Sequence, residues 1–135
     1  MEFKSYSTHA HCEMLDITGD VSAFLTANAD KGWKDGFVCV YSPHTTCAVT
    51  INEGYDPDVR TDMLAFFSKL VPANWGFRHA EGNSDAHIKT SLMGASCLVP
   101  VENGRLALGQ WQTVYLCEFD GPRMRRLCFS FVRAE

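Results

Sequence analysis

The sequence contains no apolar run near the roughly 20 residues needed to cross a bilayer, and Met1-Glu2-Phe3-Lys4-Ser5 has neither the basic start nor the apolar stretch of a secretion signal. A membrane protein is not expected, and the chain is placed in the cytoplasm. Basic residues are in deficit: 12 Lys and Arg against 16 Asp and Glu leave a net charge of -4, whose field opposes a polyanionic partner. Nucleic acid is disfavoured accordingly. The one basic cluster, Arg123-Met124-Arg125-Arg126, reads as one face of a strand and leaves room for no more than a local phosphate site. None of the six cysteines (Cys12, Cys39, Cys47, Cys97, Cys117, Cys128) pairs as Cys-x-x-Cys, and most sit beside apolar residues such as Val38, Val40, Leu98 and Phe129, so buried free thiols are expected. Cys47 lies three residues after His44, yet no activating pair is visible. There is no Gly-x-Ser-x-Gly, no P-loop, no dinucleotide fingerprint and no His-Glu-x-x-His. No linker, low-complexity stretch or repeat divides the chain, and 135 residues are the size of one domain, 1–135, with one core.

What the chain does have is core material: 46% of it is hydrophobic, including nine Phe and three Trp, which excludes disorder on composition. After an extended N-terminal segment, Thr18 reads as the cap of a helix whose Val21, Phe24, Leu25 and Asn28 share a face and which stops near Gly32. Phe37 to Tyr41 is a compact apolar strand. Ser42-Pro43-His44 interrupts it, and Cys47, Val49 and Ile51 then alternate with Thr46, Ala48 and Thr50 on the next strand. Asp56-Pro57-Asp58 starts a second helix with a capping carboxylate and a first-turn proline. It carries the stripe Val59, Met63, Phe66, Phe67 and Leu70 and ends before Pro72. Ser84 reads as the cap of a short third helix, with Ile88 and Leu92 on its buried side and Gly94 at its end. Strands then run from Ser96 to Val101, from Leu106 to Phe119 with a break near Gly109, and from Arg125 to Val132, the first two joined by an Asn103-Gly104 hairpin turn. The expected fold is α+β, with two packed, mostly antiparallel sheets and two or three helices at one end.

His44 at a strand entrance, His79 in a polar loop and His87 in the first turn of a helix all occupy positions where side chains aim at a cleft rather than a core. Imidazole suits zinc and similar divalent ions, and three protein ligands with one open position is the arrangement of a catalytic metal site. Spacing alone does not require it, because His79 and His87 are not four residues apart on one helical face. Glu53 ends the strand that His44 begins, and Asp62 lies in the helix that follows. These are the carboxylates placed to act as general base or to orient a histidine, and the competing reading makes them ordinary turn and surface residues. Lys89, near a helix N-terminus, and Arg123, after the Asp120-Gly121-Pro122 turn, can together hold a phosphate; taken singly, each is an ordinary surface charge. His9 and His11 alternate on the extended N-terminal segment and form a lower-ranked ligand pair.

Several separated strings, in order and along nearly the whole chain, resemble one family. They are His44-Thr45-Thr46-Cys47-Ala48-Val49-Thr50-Ile51-Asn52-Glu53, Asp56-Pro57-Asp58-Val59-Arg60, Asp85-Ala86-His87-Ile88-Lys89, Gly104-Arg105-Leu106-Ala107-Leu108-Gly109-Gln110-Trp111-Gln112 and Glu118-Phe119-Asp120-Gly121-Pro122-Arg123. The family is the YjbQ-like one, known as secondary thiamine-phosphate synthases. Thr46 and Gln110 depart mildly from its usual pattern, as does the ending Arg133-Ala134-Glu135.

The resemblance implies an α+β sandwich assembled as a homotrimer, with a cleft that takes a divalent metal ion, zinc or magnesium, and a small phosphorylated metabolite. It also implies the site positions: His44, His79 and His87 on the ion, Glu53 and Asp62 in catalysis, and Asn83, Lys89, Gln112 and Arg123 on substrate. The implied reaction transfers a pyrimidine diphosphate unit onto a thiazole phosphate, giving thiamine phosphate and pyrophosphate, with the ion and Lys89 or Arg123 stabilising the departing diphosphate. A metal-dependent phosphate-ester hydrolase fits the same residues, with Glu53 or Asp62 activating water. A non-catalytic trimeric module that binds a metal or metabolite is the third reading. Polar residues in every motif favour an enzyme, since a purely structural metal site fills its coordination sphere with protein ligands.

Overall fold

Period-two alternation becomes eight strands, and the 3.6-residue stripes become three helices, in the computed structural model, which describes residues 1–135. In chain order these are β1 (Glu2–Ser7), β2 (Glu13–Asp16), α1 (Thr18–Ala27), β3 (Gly36–Tyr41), β4 (Cys47–Glu53), α2 (Pro57–Leu70), α3 (Ser84–Met93), β5 (Ser96–Glu102), β6 (Arg105–Leu106), β7 (Gln112–Glu118) and β8 (Met124–Arg133). They form a five-stranded sheet in the order β1-β8-β3-β5-β6 and a three-stranded sheet in the order β2-β7-β4. Every strand pair is antiparallel. The α+β architecture with two packed sheets and three helices is therefore as expected.

Between the sheets lies the larger core, in which Val38, Val40, Val99, Leu127 and Phe129 of the five-stranded sheet meet Cys47, Val49, Val114 and Leu116 of the other, joined by Val21, Phe24 and Leu25 of α1. Each such side chain stabilises the fold by about 1.5–3 kcal/mol through burial. A second core lies on the opposite face of the three-stranded sheet, where Ala48, Tyr115 and Cys117 meet Ala86 and Met93 of α3 and Met63 and Leu64 of α2. The three-stranded sheet is thus a middle layer. Its strands are buried on both faces, which is why Cys47, Ala48 and Val49 are consecutively buried rather than alternating. The outer face of the five-stranded sheet has no such cover, and Phe37, Tyr41, Leu98 and Val132 remain exposed on it.

Local expectations hold where chemistry is local. Asp56 Oδ1 accepts from the Asp58 amide at 2.9 Å and caps α2, which ends at Leu70 before Pro72. Asn103 (φ 51°) and Gly104 (φ 75°) are both left-handed, as a tight hairpin between β5 and β6 requires.

Other details differ. Thr18 is not the cap of α1 but its first residue. The cap position is Ile17, and Thr18 Oγ1 instead accepts from the Val114 amide at 2.9 Å, tying the helix to β7. Asn83, not Ser84, occupies the cap position of α3, and no side chain caps that helix. Its buried face is Asp85, Ala86, Lys89 and Thr90, while Ile88 and Leu92 face outward. The apolar stripe of α2 is only half covered: none of its residues is fully buried, and Phe66 and Leu70 are exposed. The expected Leu106 to Phe119 strand is two strands in different sheets, because the chain crosses between sheets over residues 107–111. The helices are not gathered at one end, since α2 and α3 cover a sheet face. His9 and His11 fall in the bend between β1 and β2, so no strand aligns them. No helix is long and apolar enough to cross a membrane.

Candidate functional site

The loop from Ser42 to Thr46 leaves the five-stranded sheet at the end of β3 and enters the other sheet at β4. Proline stops the first strand, and the loop is then fixed at both ends. The Ser42 amide donates to Ala95 O at 2.8 Å and Ser42 Oγ donates to Cys47 O at 2.7 Å. Arg125 Nη2 donates to Thr46 O at 3.1 Å and to Thr46 Oγ1 at 2.8 Å. Arg125 is in turn held by Glu118, whose carboxylate accepts from Arg125 Nε at 2.8 Å and Nη2 at 2.5 Å. Both members of that pair are buried.

His44 rides on this fixed loop. Its Nε2 accepts from the Arg126 amide at 2.9 Å. The reason is topological: β3 pairs with β8 only as far as Tyr41 opposite Cys128, so the amide two residues further along β8 needs another acceptor. Accepting at Nε2 leaves Nδ1 as the protonated nitrogen of a neutral ring. Burial and the neighbouring Arg125 charge hold the ring below the usual histidine range, which agrees with neutrality.

Across a cleft of about 410 Å³ stands α3. The cleft is lined by Tyr41, Ser42, Pro43, His44 and Thr45 on one side and by His87, Thr90, Ser91, Gly94 and Ala95 on the other. None of these is acidic. Thr90 Oγ1 is buried without a hydrogen-bond partner. His79, from the loop before α3, lies beside His87, with ring centroids 5.5 Å apart in an edge-to-face arrangement. The remaining polar residues converge on the amino end of α3. Asn83 Nδ2 donates to Asp120 Oδ2 at 2.8 Å, and Arg123 grips the same Asp120 through Nη2 at 3.0 Å and through Nε to its carbonyl at 2.7 Å. Lys89 is not at the surface: its ammonium donates to Asp85 Oδ2 at 3.0 Å, and both side chains are 3% exposed.

Six of the nine expected positions thus share one end of the molecule: His44, His79, Asn83, His87, Lys89 and Arg123. The other three do not. Glu53 pairs with Gln112 at the far end of β4, about 20 Å from Cys47 at the strand rise of ~3.3 Å per residue. Gln112 Oε1 accepts from the Gly109 amide at 2.8 Å. Asp62 sits exposed on the outward side of α2.

A metal ion with three histidine ligands does not fit one copy of the chain. His79 and His87 are neighbours, but His44 Nε2 is engaged by the Arg126 amide, and no group of three or more His, Cys, Asp or Glu is gathered anywhere. The residues that sequence reasoning missed are structural partners: Asp85, Glu118, Asp120, Arg125 and the orphaned Thr90. One visible signal existed, the four-residue spacing of Asp85 and Lys89 on a helix. Nothing in the spacing of Glu118 and Arg125 announces an ion pair between strands of the two sheets.

The family model described as UPF0047 protein YjbQ-like matches residues 3–134. A UPF0047 protein of Methanocaldococcus jannaschii is 47% identical over 125 residues, covering 93% of this chain and 88% of that one. The UPF0047 protein YugU of Bacillus subtilis is 54% identical over 114 residues, covering 84% of each. Among solved structures, a yjbq/upf0047 family protein from Clostridium acetobutylicum superposes with a TM-score of 0.92 at 42% identity, covering 98% of this chain and 100% of that one. A conserved hypothetical protein from Thermus thermophilus gives a TM-score of 0.88 at 39% identity, covering 98% and 100%. With the fold, the motif order and the match along the chain in agreement, the chain belongs to the YjbQ (UPF0047) family.

Proposed function

We propose that the cleft between the Ser42–Thr46 loop and α3 binds a small phosphorylated metabolite and catalyses a reaction at its phosphate-bearing end. The observation that carries this reading is a cleft of about 410 Å³ with two histidines and several hydroxyls in its wall and no carboxylate to repel an anion. Phosphate would lie toward the amino end of α3, which no side chain caps, within reach of His87 and of Arg123 and His79, whose neighbouring carboxylates, Asp120 and Glu81, are already paired with them. His44, neutral and protonated on Nδ1, serves as a hydrogen-bond donor rather than a base. His87, whose ring has no protein hydrogen bond, is the candidate for proton transfer.

The particular reaction favoured by the family resemblance is formation of thiamine phosphate. The bond from the pyrimidine methylene to the diphosphate oxygen breaks, the diphosphate leaves with the electron pair, and the thiazole nitrogen forms the new bond to carbon. This chain's contribution is to bind and neutralise the leaving diphosphate with His87 and Arg123. No step is routed through a metal, because one copy of the chain does not assemble its ligands. Free thiols and an acidic net charge suit a reducing cytoplasm, where the homotrimer of the resemblance would work.

The test is isothermal calorimetry with inorganic pyrophosphate, followed by turnover of the two thiamine precursors and of a panel of phosphate esters. Pyrophosphate should bind, and His87→Ala and Arg123→Ala should each weaken it about tenfold or more. Absence of pyrophosphate binding by the parent protein sinks the reading. Binding without turnover of any compound makes the protein a binding module instead.

A further inference from the structure

A helical threonine ordinarily rests its hydroxyl on the carbonyl three or four residues back. Thr26 and Thr61, both on exposed helix faces, do so: Thr26 Oγ1 donates to Ser22 O and Thr61 Oγ1 to Pro57 O, each at 3.2 Å. Thr90 in α3 does not. It is 5% exposed, and its Oγ1 has neither a protein partner nor contact with water. Burial makes a missing hydrogen bond costly, and an unpaired donor is tolerated less well than an unpaired acceptor. The threonine with the greatest need of a partner is thus the one left without. Valine, nearly identical in shape, would fill the position without that cost, so packing alone does not account for the hydroxyl.

Its position supplies a reason. Thr90 lines the same cleft as His44 and His87, and it follows His87 on one face of α3 by three residues, about 4.5 Å along the helix axis. A phosphate seated toward the amino end of α3 therefore leaves Thr90 beside the rest of the molecule. We propose that Thr90 is the specificity contact of the cleft. Its hydroxyl turns about χ1 and donates to a hydrogen-bond acceptor, a hydroxyl oxygen or a ring nitrogen, which the ligand carries about one helical turn from its phosphate. The substrate class is then a phosphate ester with a polar group close to its phosphate. A ligand with plain hydrocarbon at that place leaves the hydroxyl unpaired and binds less well. The inference rests on the proposed phosphate-binding cleft and adds to it which organic part the cleft accepts.

Calorimetry with paired esters tests this: glycerol 3-phosphate against propyl phosphate for the hydroxyl, and 3-pyridylmethyl phosphate against benzyl phosphate for the ring nitrogen. The parent protein should bind the polar member of at least one pair about tenfold tighter than its apolar counterpart, and the pair that shows the preference identifies the acceptor. Thr90→Val should abolish that preference while leaving the apolar member's affinity within about twofold, and Thr90→Ser should restore it. Without ligand, Thr90→Val should melt at or above the parent temperature, which it could not do if the hydroxyl held the fold together. Equal affinity within both pairs overturns the proposal, as does a preference that survives in Thr90→Val or a Tm lowered by ~5 °C or more in that variant. Inorganic pyrophosphate is the control. A parent protein that binds neither pyrophosphate nor any ester has lost the cleft reading and this inference with it, whereas pyrophosphate binding with no preference within either pair removes this inference alone.

Discussion

Replacing Glu118 alone should cost this protein far more stability than any surface change. The carboxylate is fully buried and accepts four hydrogen bonds: Arg125 Nε at 2.8 Å, Arg125 Nη2 at 2.5 Å, Thr8 Oγ1 at 2.9 Å and the Asp120 amide at 2.9 Å. Arg125 is itself 3% exposed, so Glu118→Ala leaves a guanidinium buried without its counter-charge. The loss expected is about 3–5 kcal/mol, which for a domain of this size lowers Tm by roughly 10–20 °C. Arg125→Ala should cost a similar amount and also frees Thr46, hence the His44 loop. Replacing both, as Glu118→Leu with Arg125→Met, removes the uncompensated charge, and its cost should fall below the sum of the single changes by about 2 kcal/mol or more. Urea unfolding followed by circular dichroism gives these numbers. Single changes costing less than about 1 kcal/mol, or an additive double, would refute the mutual dependence inferred for the pair.

The pH dependence supplies a second readout of the same site. Burial pushes the Glu118 carboxyl up, but the hydrogen bonds from Arg125, the Asp120 amide and Thr8 outweigh it and hold the group below its usual range. A carboxyl depressed in the folded state gives its full stabilisation above the unfolded value and loses it as pH falls through the folded one. Glu118→Gln should therefore flatten the decline of stability below about pH 4.5 and leave the profile above it unchanged in shape.

Four further outcomes are expected. His44, held low by burial and by Arg125, contributes stability that is complete above its unfolded value of about 6.5 and falls as pH drops through the folded value; imidazole NMR should put its midpoint below 6.5, and a higher midpoint contradicts the Arg126 contact. Any zinc the protein takes up should depend on His79 and His87 and survive His44→Ala, since Nε2 of His44 is engaged; elemental analysis showing uptake lost in His44→Ala alone overturns this. Lys89→Met should cost about 3 kcal/mol or more in thermal melts through the stranded Asp85 carboxylate, yet leave pyrophosphate binding intact where the protein is folded; an unchanged Tm refutes the buried pair. Burial pushes the Cys47 thiol up to about 12, so iodoacetamide at pH 7 should spare it in the folded protein, and rapid alkylation there would show an activated thiol instead.

Much of the fold was legible because the signals are local. Asp56-Pro57 starts a helix through one capping bond and one fixed dihedral, and Asn103-Gly104 turns the chain because both residues tolerate positive φ. Alternation of Leu127, Phe129 and Phe131 along β8 puts these residues on the core side, since that strand has one face on a core. The same logic misread α3. Ile88 and Leu92 share a stripe, but the face that reaches the sheet is polar, and Asp85 and Lys89 neutralise each other at 3.0 Å so that their burial is tolerated.

By itself, the sequence determined which segments become strands and helices, which residue types carry the chemistry, and that His44 and His87 stand at element ends. Only the tertiary structure decided which of these meet. Periodicity reports each residue's preference for leaving water, and that preference carries no information about which end of a strand faces which cleft. His44 and His87, separated by 42 intervening residues, face one another because β4 and α3 pack in adjacent layers. Glu53, only nine residues from His44, lies apart because an extended strand carries it about 20 Å away.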